Sequence, residues 1–185
     1  MQILDLLPDN LPIPIDDGAC LHLIGARLPS ISLKSTDSTY TNLALIKGWL
    51  VVYCYPMTGQ PNNALPTGWD SIPGARGCTP QSCAFRDRYQ NLTALNAQVF
   101  GLSMQATDYQ QEAATRLHLP YALLSDNQFQ FTDALQLPTF EVKGMRLNKR
   151  VTLIAFDGVI QHLFYPVFPP DKNVDAVIEW LSLHA

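Results

Sequence analysis

The chain is predicted to fold as an α/β layered domain around a central mixed β-sheet, and three features predict it. Leu50-Val-Val-Tyr-Cys-Tyr55 is a continuous β-prone run that stops at Pro56, as a strand buried on both faces requires. Arg150 to Phe156 and Val159 to Tyr165 flank Asp157-Gly158, the clearest hairpin signal present. Between them, strand-like segments alternate with helix-like ones, and a final helical segment closes the chain.

Taken in order, residues 1–20 read as an extension, because Pro8, Pro12 and Pro14 break any regular element and Asp16-Asp17-Gly18 signals a turn. The remaining residues, 21–185, read as one domain. Ile31 to Lys34 and Thr39 to Leu43 alternate as a hairpin does. After the central strand, residues 57–77 hold Pro61, Pro66, Pro73 and four glycines with no period, which predicts a long inserted loop. A helix follows, with Phe85, Tyr89 and Leu92 on one apolar stripe. Val99 to Met104 reads as a strand, 108–117 as a helix, Tyr121 to Leu124 as a short strand and 128–135 as a short helix. The closing helix starts near Asp171, with Val174, Val177, Ile178 and Leu181 on one face.

Composition excludes several classes of function. The 185 residues carry a formal net charge of −4 and no cluster of Lys and Arg interleaved with aromatics, which argues against a nucleic-acid partner. No apolar run reaches the roughly 18 residues of a membrane span. Asp5 and Asp9 stand near the start, and no Lys or Arg occurs before Arg27, so a secretory leader is not expected and a cytoplasmic location is. In a reducing compartment the four cysteines are more readily reactive or inert thiols than a stapling framework.

Two of those cysteines sit in an informative place. Pro80 is tolerated in a helix only in its first turn, so the helix begins near residues 78–80 and Cys78 lies at or just before its N-terminus. Unpaired amides and the positive dipole end favour an anion there, and a thiolate is that anion. Arg76 or another nearby cation would add to the effect. Cys83 lies five residues on. If both were helical, their Cα atoms would be about 8–9 Å apart, and a disulfide needs less than ~7 Å. A bridge would then need the first turn to unwind; if Thr79 were the N-cap, less unwinding would be needed. The residues alone leave open a redox pair or two small buried side chains. The C-x4-C spacing and the scattered histidines 22, 118, 162 and 184 argue against metal. Cys54, inside the central strand, reads as inert core, and Cys20 has no assignable role.

The segment Gly77-Cys-Thr-Pro-Gln-Ser-Cys-Ala-Phe-Arg-Asp87 resembles the active-site segment of the peroxiredoxin Q and bacterioferritin-comigratory-protein group. Gly25 to Pro29, Val51 to Pro56, Leu123 to Asp126 and Arg150 to Gly158 resemble further family segments in the same order, so the likeness runs from about residue 22 to the end. The resemblance implies a thioredoxin-like fold and a peroxidase acting on hydrogen peroxide and organic hydroperoxides. It implies Cys78 as the peroxidatic cysteine, Cys83 as the intramolecular resolving cysteine and Arg150 beside the thiolate. It also implies no cofactor, thioredoxin or glutaredoxin as reductant, and a monomer or weak homodimer. Gln81 takes a position that other peroxiredoxins often fill with Glu, and it is expected at the substrate site. Where the family carries Pro-x-x-x-Thr-x-x-Cys, this chain has Ala75 three residues before Cys78. Pro56 is followed by Thr58, and about nineteen residues then intervene, which makes Thr58 the candidate catalytic threonine of a motif split by the loop. Within that loop, Trp69 is the candidate to cover the pocket or to bind the organic part of a hydroperoxide. The alternatives are a non-enzymatic redox sensor, with Ala75 marking lost peroxidase activity, and a general thiol–disulfide exchanger.

Overall fold

The computed structural model describes residues 7–184, and residues 1–6 of the expected extension lie outside that range. A seven-stranded sheet runs in the order β2-β1-β5-β4-β3-β8-β9. Its strands are β1 (Ser32–Ser35), β2 (Tyr40–Asn42), β3 (Trp49–Cys54), β4 (Ala97–Ser103), β5 (Leu123–Ser125), β8 (Val151–Phe156) and β9 (Val159–Phe164). β3 pairs parallel with β4 and antiparallel with β8, so the sheet is mixed, as the alternation of elements predicts. β3 is the central strand that its unbroken apolar run requires.

The two faces of β3 divide the core. Leu50, Val52 and Cys54 point to one face, where they meet Leu23, Leu43, Phe131 and Leu153. Val51 and Tyr53, followed by Tyr55, point to the other, where they meet Cys78, Phe85, Leu92, Val177 and Leu181. That second face is covered by α1 (Cys78–Asp87), α2 (Tyr89–Ala94) and α5 (Asn173–His184). Period-2 alternation on one strand thus assigns Cys54 and Cys78 to opposite sides of the sheet. Cys20 packs with Cys54 on the far side.

Three differences from the sequence expectation have physical reasons. The stripe Phe85, Tyr89, Leu92 does not lie on one helix. Arg88 leaves helical geometry at φ −102°, ψ 7°, ending α1 and opening α2, and Phe85 and Leu92 still reach the same core. A second sheet, β6 (Thr139–Val142) paired with β7 (Met145–Asn148), was not expected. Its two-residue turn, Lys143-Gly144, has positive φ at both positions, the geometry hairpins favour, but Lys is a weak signal for it. Finally, the 57–77 loop is not wholly irregular: Trp69–Ser71 forms a 3-10 turn after Gly68. α3 (Thr107–Arg116) and α4 (Gln130–Ala134) fall where the periodicity puts them.

The small sheet gives the inserted loop a core of its own. Trp69, Ala75 and Leu147 are buried together, with Met57, Leu65, Ile72, Phe140 and Val142 packed against them. A loop of this length would otherwise leave apolar side chains in water, and the hairpin supplies the surface they bury against.

Candidate active site

α1 begins at Cys78 because Gly77 turns the chain into it. Gly77 has φ +105°, and a Cβ there would lie 2.4 Å from Pro170 Cγ and 2.8 Å from Leu7 Cδ2. The first intrahelical bond runs from Gln81 N to Gly77 O at 3.0 Å. The amides of Cys78 and Thr79 therefore belong to the helix end that has no intrahelical acceptor and carries the positive dipole. Thr79 is not the N-cap, so both Cys78 and Cys83 lie inside the helix.

We expect Gly77→Ala to destabilise the fold by roughly 2 kcal/mol or more, through left-handed strain plus the clash. Gly144→Ala isolates the strain, because Gly144 also has positive φ but nothing within 4 Å of an added Cβ. Urea unfolding compares the two. A Gly77→Ala loss no larger than that of Gly144→Ala would show that the close approach does not matter.

Arg150, buried immediately before β8, places its guanidinium on the nucleophile candidate. Its Nη2 lies 3.2 Å from Cys78 Sγ and also donates to Ala75 O and Arg76 O, each at 3.2 Å. Its Nη1 donates to Gln81 Oε1. Gln81 Nε2 in turn donates to Asn173 Oδ1 at 3.0 Å, and Thr152 Oγ1 donates to the same oxygen at 2.6 Å. The chain of bonds thus links β8, α1 and the start of α5 through side chains that are all buried. Among the described residues no carboxylate pairs with Arg150; its acceptors are neutral oxygens and the sulfur. A buried cation is costly without a counter-charge. As a thiol, Cys78 has Ala75 O as its acceptor, at 3.7 Å.

The other candidates stand at different distances from this cluster. Thr58 is buried, and its amide and its hydroxyl both donate to Gln105 Oε1, at 2.9 and 3.1 Å. Its neighbours Met57 and Gly59 line the slot at Cys78, and so does Trp69. Cys83 lies five residues along α1, half-buried. Arg76, offered by the sequence as a nearby cation, lines the slot and pairs with Asp70 at 3.4 Å. Asn173 and Thr152 were not legible in the sequence, since they lie 92 and 71 positions from Gln81 and only the fold unites them. All four cysteines are thiols. Burial pushes Cys20 up to about 12, with Asp17 and Asp16 adding to it, and burial also raises Cys54. Among the described residues no group of three His, Cys, Asp or Glu side chains could hold a metal ion, and no helix is long and apolar enough to cross a membrane.

A family model described as Redoxin matches residues 23–178. A protein named peroxiredoxin Q, chloroplastic, from Gentiana triflora is 28% identical over 181 residues, covering 95% of this chain and 76% of its own length. Its counterpart from Populus jackii is 29% identical over 159 residues, covering 85% and 67%. Among solved structures, peroxidoxin BcpB from Mycobacterium tuberculosis aligns with a TM-score of 0.72 at 22% identity, over 88% of this chain and 97% of that one. A bacterioferritin comigratory protein of Xanthomonas campestris, described for its alkyl peroxide reduction activity, aligns with a TM-score of 0.67 at 18% identity, over 95% and 99%. At such identities the structural likeness establishes the fold.

Proposed function

Because the chain belongs to the redoxin family, as a peroxiredoxin of the peroxiredoxin Q group with a thioredoxin-like fold, we propose that it reduces a hydroperoxide with Cys78 as nucleophile and Cys83 as resolving thiol. The observation that carries this reading is the guanidinium of Arg150 at 3.2 Å from Cys78 Sγ, at the first residue of a helix.

In this reading the Cys78 thiolate attacks one peroxide oxygen. An S–O bond forms and the O–O bond breaks. Sulfur loses two electrons, and the leaving oxygen takes a proton and departs as water or an alcohol. Arg150 and the α1 amides face the charge that spreads along the S–O–O axis. Cys83 then condenses with the sulfenic acid, expelling water and forming an S–S bond. A thioredoxin-type or glutaredoxin-type dithiol restores both thiols by exchange and is itself oxidised. Gln81 fixes the guanidinium from α1, Asn173 holds Gln81, and Thr152 holds Asn173. The proposal needs no cofactor, and it places the chain in a reducing, cytoplasm-like compartment as a monomer or weak homodimer.

Stopped-flow oxidation by substoichiometric peroxide tests the reading. A peroxidase consumes peroxide orders of magnitude faster than free cysteine does, whereas a redox sensor or a general exchanger has no need to. Oxidation no faster than that of free cysteine would remove the peroxidase assignment.

Arg150→Ala is expected to slow the first oxidation about 100-fold, the usual scale for loss of one preorganised donor. Arg150→Lys should recover only part of the rate, since an ammonium has three donors on one nitrogen, whereas the two guanidinium nitrogens here reach four acceptors, Ala75 O, Arg76 O, Gln81 Oε1 and the sulfur. An unchanged rate in a folded Arg150→Ala protein would take the residue out of the site.

A further inference from the structure

Residues 79–82 separate the two cysteines of α1, and one of them, Ser82, is tied to the sheet through both of its oxygens. Tyr53 of β3 places its hydroxyl 3.1 Å from Ser82 Oγ. Tyr121, just before β5, donates its hydroxyl proton to Ser82 O at 2.9 Å. The two phenol oxygens are 3.1 Å apart. Each hydroxyl owns one proton, which fixes the direction of all three bonds. Tyr121 gives its proton to Ser82 O, so Tyr53 must donate to Tyr121, and Ser82 Oγ must then donate to Tyr53. The bonds form a closed circuit that leaves Ser82 by its side chain and returns to its carbonyl.

The circuit is buried: Ser82 and Tyr53 are 0% exposed and Tyr121 8%. Bonds at such depth are felt when lost, because the freed groups have no ready partner. Burial also raises both phenols well above their ordinary range, which keeps their protons in place. Packing fixes the rings. Tyr53 lies flat on Phe85 at 4.6 Å, and Tyr121 meets Tyr53 edge-on at 6.0 Å. The three bonds involve neither Cys78 nor Arg150 nor Gln81.

We infer that Tyr53 and Tyr121 are positioning residues for the resolving step: their circuit with Ser82 holds Cys83 in α1, and so sets how fast the Cys78–Cys83 disulfide forms and how much Cys78 is over-oxidised. The inference rests on the reading of Cys83 as the resolving thiol. Within α1 the two Cα atoms are about 8–9 Å apart, and a disulfide needs less than ~7 Å, so the helix opens between them. Ser82 cannot leave the sheet while the circuit stands. Two reactions compete for the sulfenic acid on Cys78. In one, the Cys83 sulfur attacks the sulfenic sulfur. An S–S bond forms, the S–O bond breaks, and the oxygen leaves as water with the Cys83 proton. In the other, the sulfenic sulfur attacks a second hydroperoxide. A second S–O bond forms, the O–O bond breaks, sulfur loses two further electrons, and the leaving oxygen takes a proton. Only the first reaction waits for the circuit to break, and only the second grows with peroxide concentration.

Quenched-flow oxidation by hydrogen peroxide, trapped by thiol alkylation and read by mass spectrometry, measures both branches. Tyr121→Phe and Tyr53→Phe each keep the ring and remove one hydroxyl. Each is expected to speed disulfide formation about fivefold, the scale of one buried hydrogen bond, with the first oxidation of Cys78 within about twofold of wild type. The peroxide concentration that converts half of Cys78 to the sulfinic acid should rise by the same factor. Tyr55→Phe is the control. It removes a buried phenol on the same face whose hydroxyl accepts from Gln110 Nε2 at 3.3 Å, and it should leave all three quantities at their wild-type values. Unchanged or slower disulfide formation in folded Tyr53→Phe and Tyr121→Phe proteins would overturn the inference. Equal acceleration by Tyr55→Phe would overturn it too, since any loosening of the core would then suffice. Failure of the resolving-thiol reading is a separate outcome: wild type itself would form no Cys78–Cys83 disulfide, and the inference would fall with it.

Discussion

Cys78→Ser is expected to abolish peroxide consumption, to below about one hundredth of wild type, because a serine hydroxyl is a far weaker nucleophile than a cysteine sulfur. The substitution changes one atom in a site held by Gly77 and Arg150, so the fold should survive, as circular dichroism would show. No other cysteine is placed to substitute. Cys20 and Cys54 are buried on the opposite face of the sheet, in surroundings that raise their thiols away from the reactive form. Cys83 is half-buried on the helix, five residues from the end where the amides and Arg150 converge. Retention of a tenth of the activity would move the nucleophile elsewhere.

Much of this architecture was legible because local signals agreed with the tertiary ones. The apolar run of β3 could only be a central strand, and Asp157-Gly158 could only be a tight turn. Pro80 placed the helix start within a residue or two, and the helix does begin at Cys78. What the sequence lacked was information about which distant residues meet. Lys143-Gly144 gave too weak a turn signal for the small sheet to be expected, so the insertion read as a loop rather than a packed wall. Thr58 could be singled out by its place after Pro56, but not its partner Gln105, 47 positions away, which takes both its amide and its hydroxyl. Arg76 and Arg150 could not be ranked as neighbours of the sulfur by spacing, since one is two residues from Cys78 and the other 72. Only the antiparallel pairing of β8 with β3, which sets Val151 beside Cys54, brings residue 150 to the end of the sheet where α1 begins.

Cys83→Ser is expected to leave the first oxidation of Cys78 within about twofold of wild type and to stop turnover with thioredoxin, because the nucleophile and its cation are untouched while the condensing thiol is gone. Excess peroxide should then carry Cys78 on to the sulfinic acid. The distance argument gives the wild-type enzyme a further signature. With both residues inside α1, their Cα atoms are about 8–9 Å apart by helix geometry, beyond the ~7 Å limit for a disulfide. The bridge therefore requires residues 78–83 to leave the helix. Doing so breaks the bonds of Gln81 to Arg150 and Asn173, and those of Ser82 to Tyr53 and Tyr121. Phe85, stacked on Tyr53 at 4.6 Å, lies beyond the unwound turn and anchors the rest of the helix. The oxidised protein should accordingly lose amide protection at 79–83 in hydrogen exchange while keeping it from Phe85 onward. Mass spectrometry of peroxide-treated wild type should yield a peptide joining Cys78 to Cys83. A link from Cys78 to Cys20, or to a second chain, would refute the assignment, and so would full protection of the first turn in a protein whose two thiols have been lost. The sheet argues for the intramolecular partner. Cys20 and Cys54 would have to cross the central strands to reach Cys78, whereas Cys83 has only to be released from the helix that both cysteines share.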